Sequence, residues 1–197
     1  MLPETPAGPR TMSDLIVFNK PYGVICQFSP HEKHRSLKEF INLPDVYPAG
    51  RLDTDSEGLL LLTANGRLQA KIADPRHKTV KTYWAQLEGS PDEAKLDLLR
   101  HGVDLGDFVT RPAQIRLPEK SETDRLWPRV PPIRVRKSVP DFWLEIRISE
   151  GKNRQVRRMT AKAGYPCLRL VRVGIGRLDL WQLDLAPGQW LPAPCLP

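Results

Sequence analysis

The chain has little of what would tie it to a membrane, an export route or a disulfide scaffold. None of its 197 residues fall in an apolar run near the ~20 residues that span a bilayer. Its opening, MLPETPAGPRTMSD, lacks the apolar core of an export signal, so a cytoplasmic protein with no membrane partner is expected. Cysteine occurs three times, as Cys26, Cys167 and Cys195, too scattered and odd in number for a disulfide framework or a thiolate zinc site. The four histidines (His31, His34, His77, His101) form no zinc-like grouping, and Gly174-x-Gly176 lacks the third glycine and the acid of a dinucleotide site. Aromatics are only 7% of the chain; the five tryptophans read as core, except Trp127 in RLWPRVPP, which reads as open to a ligand.

What the chain does have is positive charge, unevenly spread. The formal net charge is +7. Residues 129–177 hold thirteen Lys and Arg against three acids, a local net of +10 that leaves the remainder at −3. Such asymmetry points to a polyanion, because cations that neutralise phosphates release condensed counterions. With no helix pairing a basic face with a broad apolar one, nucleic acid is favoured over an anionic membrane.

Residues 1–13 read as a disordered leader, 14–185 as one folded domain and 186–197 as a loosely ordered Pro-rich tail. DLIVFNK and VICQF read as two strands flanking Pro21-Tyr22-Gly23, which signals a hairpin or a tight bend, and LKEFINL as a short helix. VYPAGRLD is strand-like, and GLLLLT reads as a strand buried on both faces. GRLQAKIADP reads as a helix, TYWAQLEG as a strand, and 91–101 as a helix capped by Ser90. Six prolines between Arg111 and Pro140 imply a weak strand followed by a long basic excursion. FWLEIRIS alternates as a half-buried strand, Asn153 caps a helix running to Ala163, and CLRLVRVGIGRLDL supplies closing strands. Strands outnumber helices without strict interleaving. The expected fold is α+β, with a mixed, mainly antiparallel sheet flanked by helices.

Two segments concentrate chemistry. In GRLDTDSEGLLLLT, Asp53, Asp55, Glu57 and Gly58 imitate the start of a calcium loop, but Ala64 stands where the bidentate glutamate belongs, so no metal is expected. Asp55 and Ser56 suit turns and caps. Arg51 and Asp53, two apart at a strand end, project to one side while Leu52 points inward, which suits a cleft. In EGKNRQVRRMTAKAG, Val156, Met159 and Ala163 share a core face, whereas Arg154, Arg157 and Arg158 crowd one turn at a helix N-terminus, where they repel the dipole unless an anion neutralises them.

Four ordered blocks, NKPYGVICQFS, PAGRLDTDSEGLLLLTANG, KTYWAQLEG and EGKNRQVRRM, together resemble the pseudouridine synthases of the RsuA type over residues 15–175. The stretch WPRVPPIRVRKSVPDFWLEI, together with a chain that shows no S4 RNA-binding module, resembles most the members that act on 23S rRNA. The resemblance implies a pseudouridine-synthase-type fold and isomerisation of a uridine in 23S rRNA with no cofactor and no metal, by a protein expected to be a monomer. The glycosidic C1′–N1 bond breaks, the uracil turns, and C5 bonds to C1′. By the family's motifs Asp53 is the catalytic carboxylate, Tyr83 lies against the base, Arg157 pairs with the carboxylate, Val156 packs on the uracil and Arg51 helps hold the extruded nucleotide. The basic region, Arg154, Arg158, Arg134, Arg136 and Lys137 included, is the expected RNA-gripping surface in place of an S4 module.

These roles agree with physical chemistry. An arginine within hydrogen-bonding reach of a carboxylate favours its charged form. A base cannot react while stacked, so the nucleotide must be extruded at a cost of roughly a few kcal/mol. Two other readings are compatible with the sequence: a catalytically silent rRNA-binding or assembly factor, and a synthase for another rRNA or tRNA uridine.

Overall fold

A computed structural model describes residues 15–74, 79–133, 136, 138–194 and 196–197. The expected leader, His77, Arg134, Lys137 and Cys195 lie outside the described residues.

In chain order the strands and helices are β1 (Ile16–Lys20), β2 (Val24–Ile25), β3 (Arg35–Ser36), β4 (Tyr47–Pro48), β5 (Glu57–Thr63), α1 (Gly66–Ala73), β6 (Lys81–Glu88), α2 (Glu93–His101), β7 (Gln114–Arg116), α3 (Lys120–Thr123), β8 (Asp141–Ile148), α4 (Gln155–Lys162), β9 (Cys167–Ile175), β10 (Leu178–Asp179), α5 (Leu180–Leu183) and β11 (Trp190–Pro192). One mixed sheet runs β11-β1-β5-β9-β6-β8-β7, with β4 on β5 and β10 on β9. Its pairs are antiparallel except β5 with β9. The fold is α+β, as the pattern of elements predicts.

The sheet separates two apolar layers, and period-2 alternation assigns residues to each. In β5, which is buried throughout, Leu60 and Leu62 enter one layer with Phe18, Tyr83 and Ile146, while Leu59 and Leu61 enter the other with Trp84 and Val171. Helices α2 and α4 cover the first layer through Leu96, Leu99, Val156 and Met159. Leu68 and Ile72 of α1, α5 and the Leu126–Trp127 segment cover the second.

Several local expectations give way to tertiary contacts. Of the two expectations for Pro21-Tyr22-Gly23 the tight bend is the one found, not a hairpin: β1 pairs with β5 and β11, and β2 pairs in parallel with β3. The turn between β1 and β2 is held by the buried Lys20, whose Nζ donates to the Val24 and Pro21 carbonyls at 2.7 and 3.0 Å. Of VYPAGRLD, only Tyr47–Pro48 is strand. The cap of α2 is Asp92, not Ser90, because Tyr165 Oη binds the Ser90 carbonyl and the Asp92 N–H just before the helix. α4 begins after Arg154, at φ +48, not after Asn153. The Pro-rich segment beyond 186 is not loose throughout, since β11 pairs with β1 there. Trp127 is no open platform: its Nε1 donates to Glu57 Oε1 at 2.8 Å, and Arg169 binds the same carboxylate at 2.8 and 2.9 Å.

Candidate active site

The segment between β4 and β5, residues 49–56, has no regular hydrogen-bond ladder, yet it carries the acidic cluster. Its order comes from its carbonyls. The Arg51 carbonyl accepts from Arg172 at 3.3 Å, Leu52 from the Cys26 thiol at 3.1 Å, and Asp53 from Ser56 N–H at 3.0 Å. The Thr54 carbonyl accepts from Gly23 N–H at 2.8 Å, and that of Asp55 from Arg157 at 2.6 Å. Five consecutive acceptors are each met by a donor, four of them from distant elements. Fixing a loop in this way removes the entropy that a mobile carboxylate would lose on binding substrate.

The loop forms one wall of a cleft of about 990 Å³. Asp53 and the exposed Arg51 line it, together with Tyr83 on β6 and Arg154, Gln155 and Val156 at the start of α4. Tyr83 and Val156 are nearly buried, and Asp53 is about one-third exposed, at 34%. Leu52 is buried as expected, so the loop turns Arg51 and Asp53 toward the cleft although it is not a strand end.

The arginine partnerships differ from those expected. Arg157 does not reach Asp53: it donates to the Asp55 and Cys167 carbonyls, and its Nε lies 3.4 Å from Asp55 Oδ2. Arg154 faces Asp53, at 3.7 Å, and binds Asp55 through both terminal nitrogens, at 3.0 and 2.8 Å. Asp55 is therefore an ion-pair anchor, not merely a turn residue. Partial burial pulls its pKa up, but the Arg154 hydrogen bonds and the charges of Arg157 and Arg154 outweigh that and hold the carboxyl below its ordinary value. Arg158 is committed to Asp107 and the Leu105 carbonyl. The anions that the crowded α4 N-terminus requires are thus supplied by the chain itself.

The described cations of the basic stretch do not all share one surface either. Arg169 and Arg172 are buried, the first on Glu57 and the second on the Leu59 and Arg51 carbonyls. Arg136 is exposed and paired with Glu88 at 3.2 Å. Cations near the cleft include Lys81, whose pKa burial and the neighbouring Arg172 both lower.

Sequence reasoning passed over Lys20, Cys26, Gln155 and Arg172 as site-building residues. Two of them left a signal, because a Lys ending the apolar strand IVFNK and an Arg in the apolar frame of LVRVGI are polar residues in positions that burial must satisfy. Cys26 and Gln155 left none; their partners lie across the fold.

Comparison with known proteins points to one family. Residues 14–162 match the family model for RNA pseudouridylate synthase. The chain is 59% identical over 179 residues to the ribosomal large subunit pseudouridine synthase E of Xanthomonas campestris pv. campestris, covering 89% of this chain and 93% of that protein. It is 52% identical over 176 residues to the protein of the same name from Vibrio vulnificus, covering 89% and 73% of the two chains. A crystal structure of a pseudouridylate synthase superposes with a TM-score of 0.74 at 27% identity, covering 92% of this chain and 70% of that one. The chain belongs to the RNA pseudouridylate synthase family, whose members isomerise uridine in RNA to pseudouridine.

Proposed function

We propose that this protein isomerises a specific uridine of large-subunit (23S) rRNA to pseudouridine, with Asp53 as the catalytic carboxylate. Asp53 acts on the sugar of an extruded nucleotide, as nucleophile or as base, while the N1–C1′ bond breaks and C5 bonds to C1′. Tyr83 and Val156 flank the uracil, Arg154 faces the carboxylate in the role expected of Arg157, and Arg51 contacts the nucleotide from the rim. The exposed Arg136 binds RNA phosphates, and Arg134 and Lys137, adjacent in sequence, are assigned the same role. The observation that carries the reading is the pinned 51–55 loop, which presents Asp53 to a cleft shared with Tyr83 and Val156. The names of the similar Xanthomonas and Vibrio proteins support the choice of large-subunit rRNA.

The test is pseudouridine mapping of rRNA and tRNA from cells with and without the protein, and with Asp53→Asn in its place. One 23S position should lose its pseudouridine in the deletion and in the Asp53→Asn strain. An unchanged map overturns the proposal.

A further inference from the structure

Five buried side-chain polar atoms among the described residues lack a hydrogen-bond partner, and two of them, Gln155 Nε2 and Ser56 Oγ, belong to residues that line the cleft. Buried polar groups are nearly always paired, so an unpaired donor in a binding cleft calls for a ligand acceptor. The orientation of the Gln155 amide is decided by Lys152, whose N–H donates to Oε1 at 3.1 Å; only the amide oxygen can accept, so the NH₂ is the group left over.

Depth in the cleft says which part of a nucleotide reaches this donor. Asp53 and Arg154 have side chains 34% and 45% exposed, whereas Gln155 and Ser56 are 3% and 1% exposed. A nucleotide whose C1′ lay at Asp53 would turn the far edge of its base away from the exposed rim, toward the more buried Gln155. In uracil the atom opposite N1 is C4, which bears O4.

We infer that Gln155 reads the base, its Nε2 donating to O4 of the target uracil, which rests on uridine isomerisation at this cleft. Cytosine carries an amino donor at that position and is refused. The same contact survives the chemistry. After N1–C1′ breaks, half a turn about the N3–C6 axis exchanges N1 with C5 and O4 with O2. As C5–C1′ forms, the C5 proton leaves and N1 takes up a proton. O2 of pseudouridine then stands where O4 of uridine stood, so one donor holds substrate and product alike. Ser56, whose hydroxyl both donates and accepts, adds no discrimination of its own.

The experiment is single-turnover pseudouridine formation on a synthetic fragment of 23S rRNA spanning the mapped site, made with uridine or 4-thiouridine at the target. Sulfur accepts hydrogen bonds weakly, so the wild-type protein should lose about tenfold on 4-thiouridine, the worth of one hydrogen bond. Gln155→Met should lose about the same on uridine and nothing further on 4-thiouridine. Gln155→Glu, which keeps the oxygen that caps Lys152 but removes the donor, should lose at least as much on uridine as Gln155→Met. Equal wild-type rates on the two substrates, or losses that multiply, overturn the base-reading role, and the wild-type comparison stands even if a variant folds poorly. No wild-type turnover on uridine overturns this inference and the proposed function together.

Discussion

Arg154 closes its guanidinium fork on Asp55, at 3.0 and 2.8 Å, and leaves Asp53 outside the fork at 3.7 Å. Two aspartates two residues apart thereby have different surroundings. A bidentate pair satisfies the Asp55 carboxylate and fixes the arginine. Asp53 lies near the same cation without a hydrogen bond to it, and its side chain lines the cleft.

The two carboxylates should respond differently to loss of charge. Asp53→Asn should fold and bind RNA normally, yet lose several orders of magnitude in the single-turnover rate, on the order of 6 kcal/mol of barrier. Asp55→Asn breaks the fork at a site one-third exposed, so about 1–2 kcal/mol of stability and about a tenfold rate loss are expected. Stopped reactions on a labelled rRNA fragment, with melting curves, separate the two; equal collapse of both variants contradicts the assignment.

Cys26 grips the residue before Asp53 from both sides, its thiol donating to the Leu52 carbonyl at 3.1 Å and accepting the Leu52 N–H at 3.4 Å. Cys26→Val removes both contacts at similar volume. Turnover should fall about tenfold with RNA affinity unchanged, and Cys26→Ser should recover part of the loss, since a hydroxyl donates and accepts. A drop in affinity with no change in rate would contradict a loop-holding role.

Lys20 makes stability depend on alkaline pH. Burial is the main cause of a pKa lowered to about 8 from an ordinary value of 10.5. Between those values the unfolded chain binds more protons at this residue, so the free energy of unfolding rises with pH across that window. The contribution is fully present above 10.5 and falls away as pH drops through 8, a change on the order of 3 kcal/mol. Denaturant unfolding at pH 7.5 and 10 should show a steeper rise for wild type than for Lys20→Met; parallel profiles would refute the buried, proton-losing lysine.

Gly58 sits at φ +103 beside Arg172, and a Cβ there would lie 2.3 Å from the Arg172 carbonyl oxygen. Parallel pairing of β5 with β9 brings these backbones together just after the acidic loop. Gly58→Ala should therefore cost at least about 3 kcal/mol, measured by chemical denaturation, through both the forbidden φ and the clash. A loss under about 1 kcal/mol would mean the two strands can part without penalty.

What the sequence by itself determined is most of the main elements and which segments would supply the cleft. The apolar run at 59–62, the alternation of FWLEIRIS and the Val156–Met159 spacing each carry a period that burial enforces locally, so β5, β8 and α4 were legible. The RLD and QVR blocks likewise marked Asp53 and Arg157 through the family resemblance. Only the tertiary structure decided which partners those residues take. Whether Arg154 or Arg157 faces Asp53 depends on the left-handed backbone at Arg154 and on where β9 offers the Cys167 carbonyl, neither of which has a local sequence period. The same holds for the loop carrying Asp53, which looks strand-like in sequence because its backbone groups could have joined a ladder. They are instead consumed by Gly23, Cys26, Arg157 and Arg172, donors at least 26 residues away for Gly23 and Cys26 and over 100 for the two arginines. Hydrogen-bond demand is readable from any backbone, but the identity of the donor that meets it is a property of the packed fold.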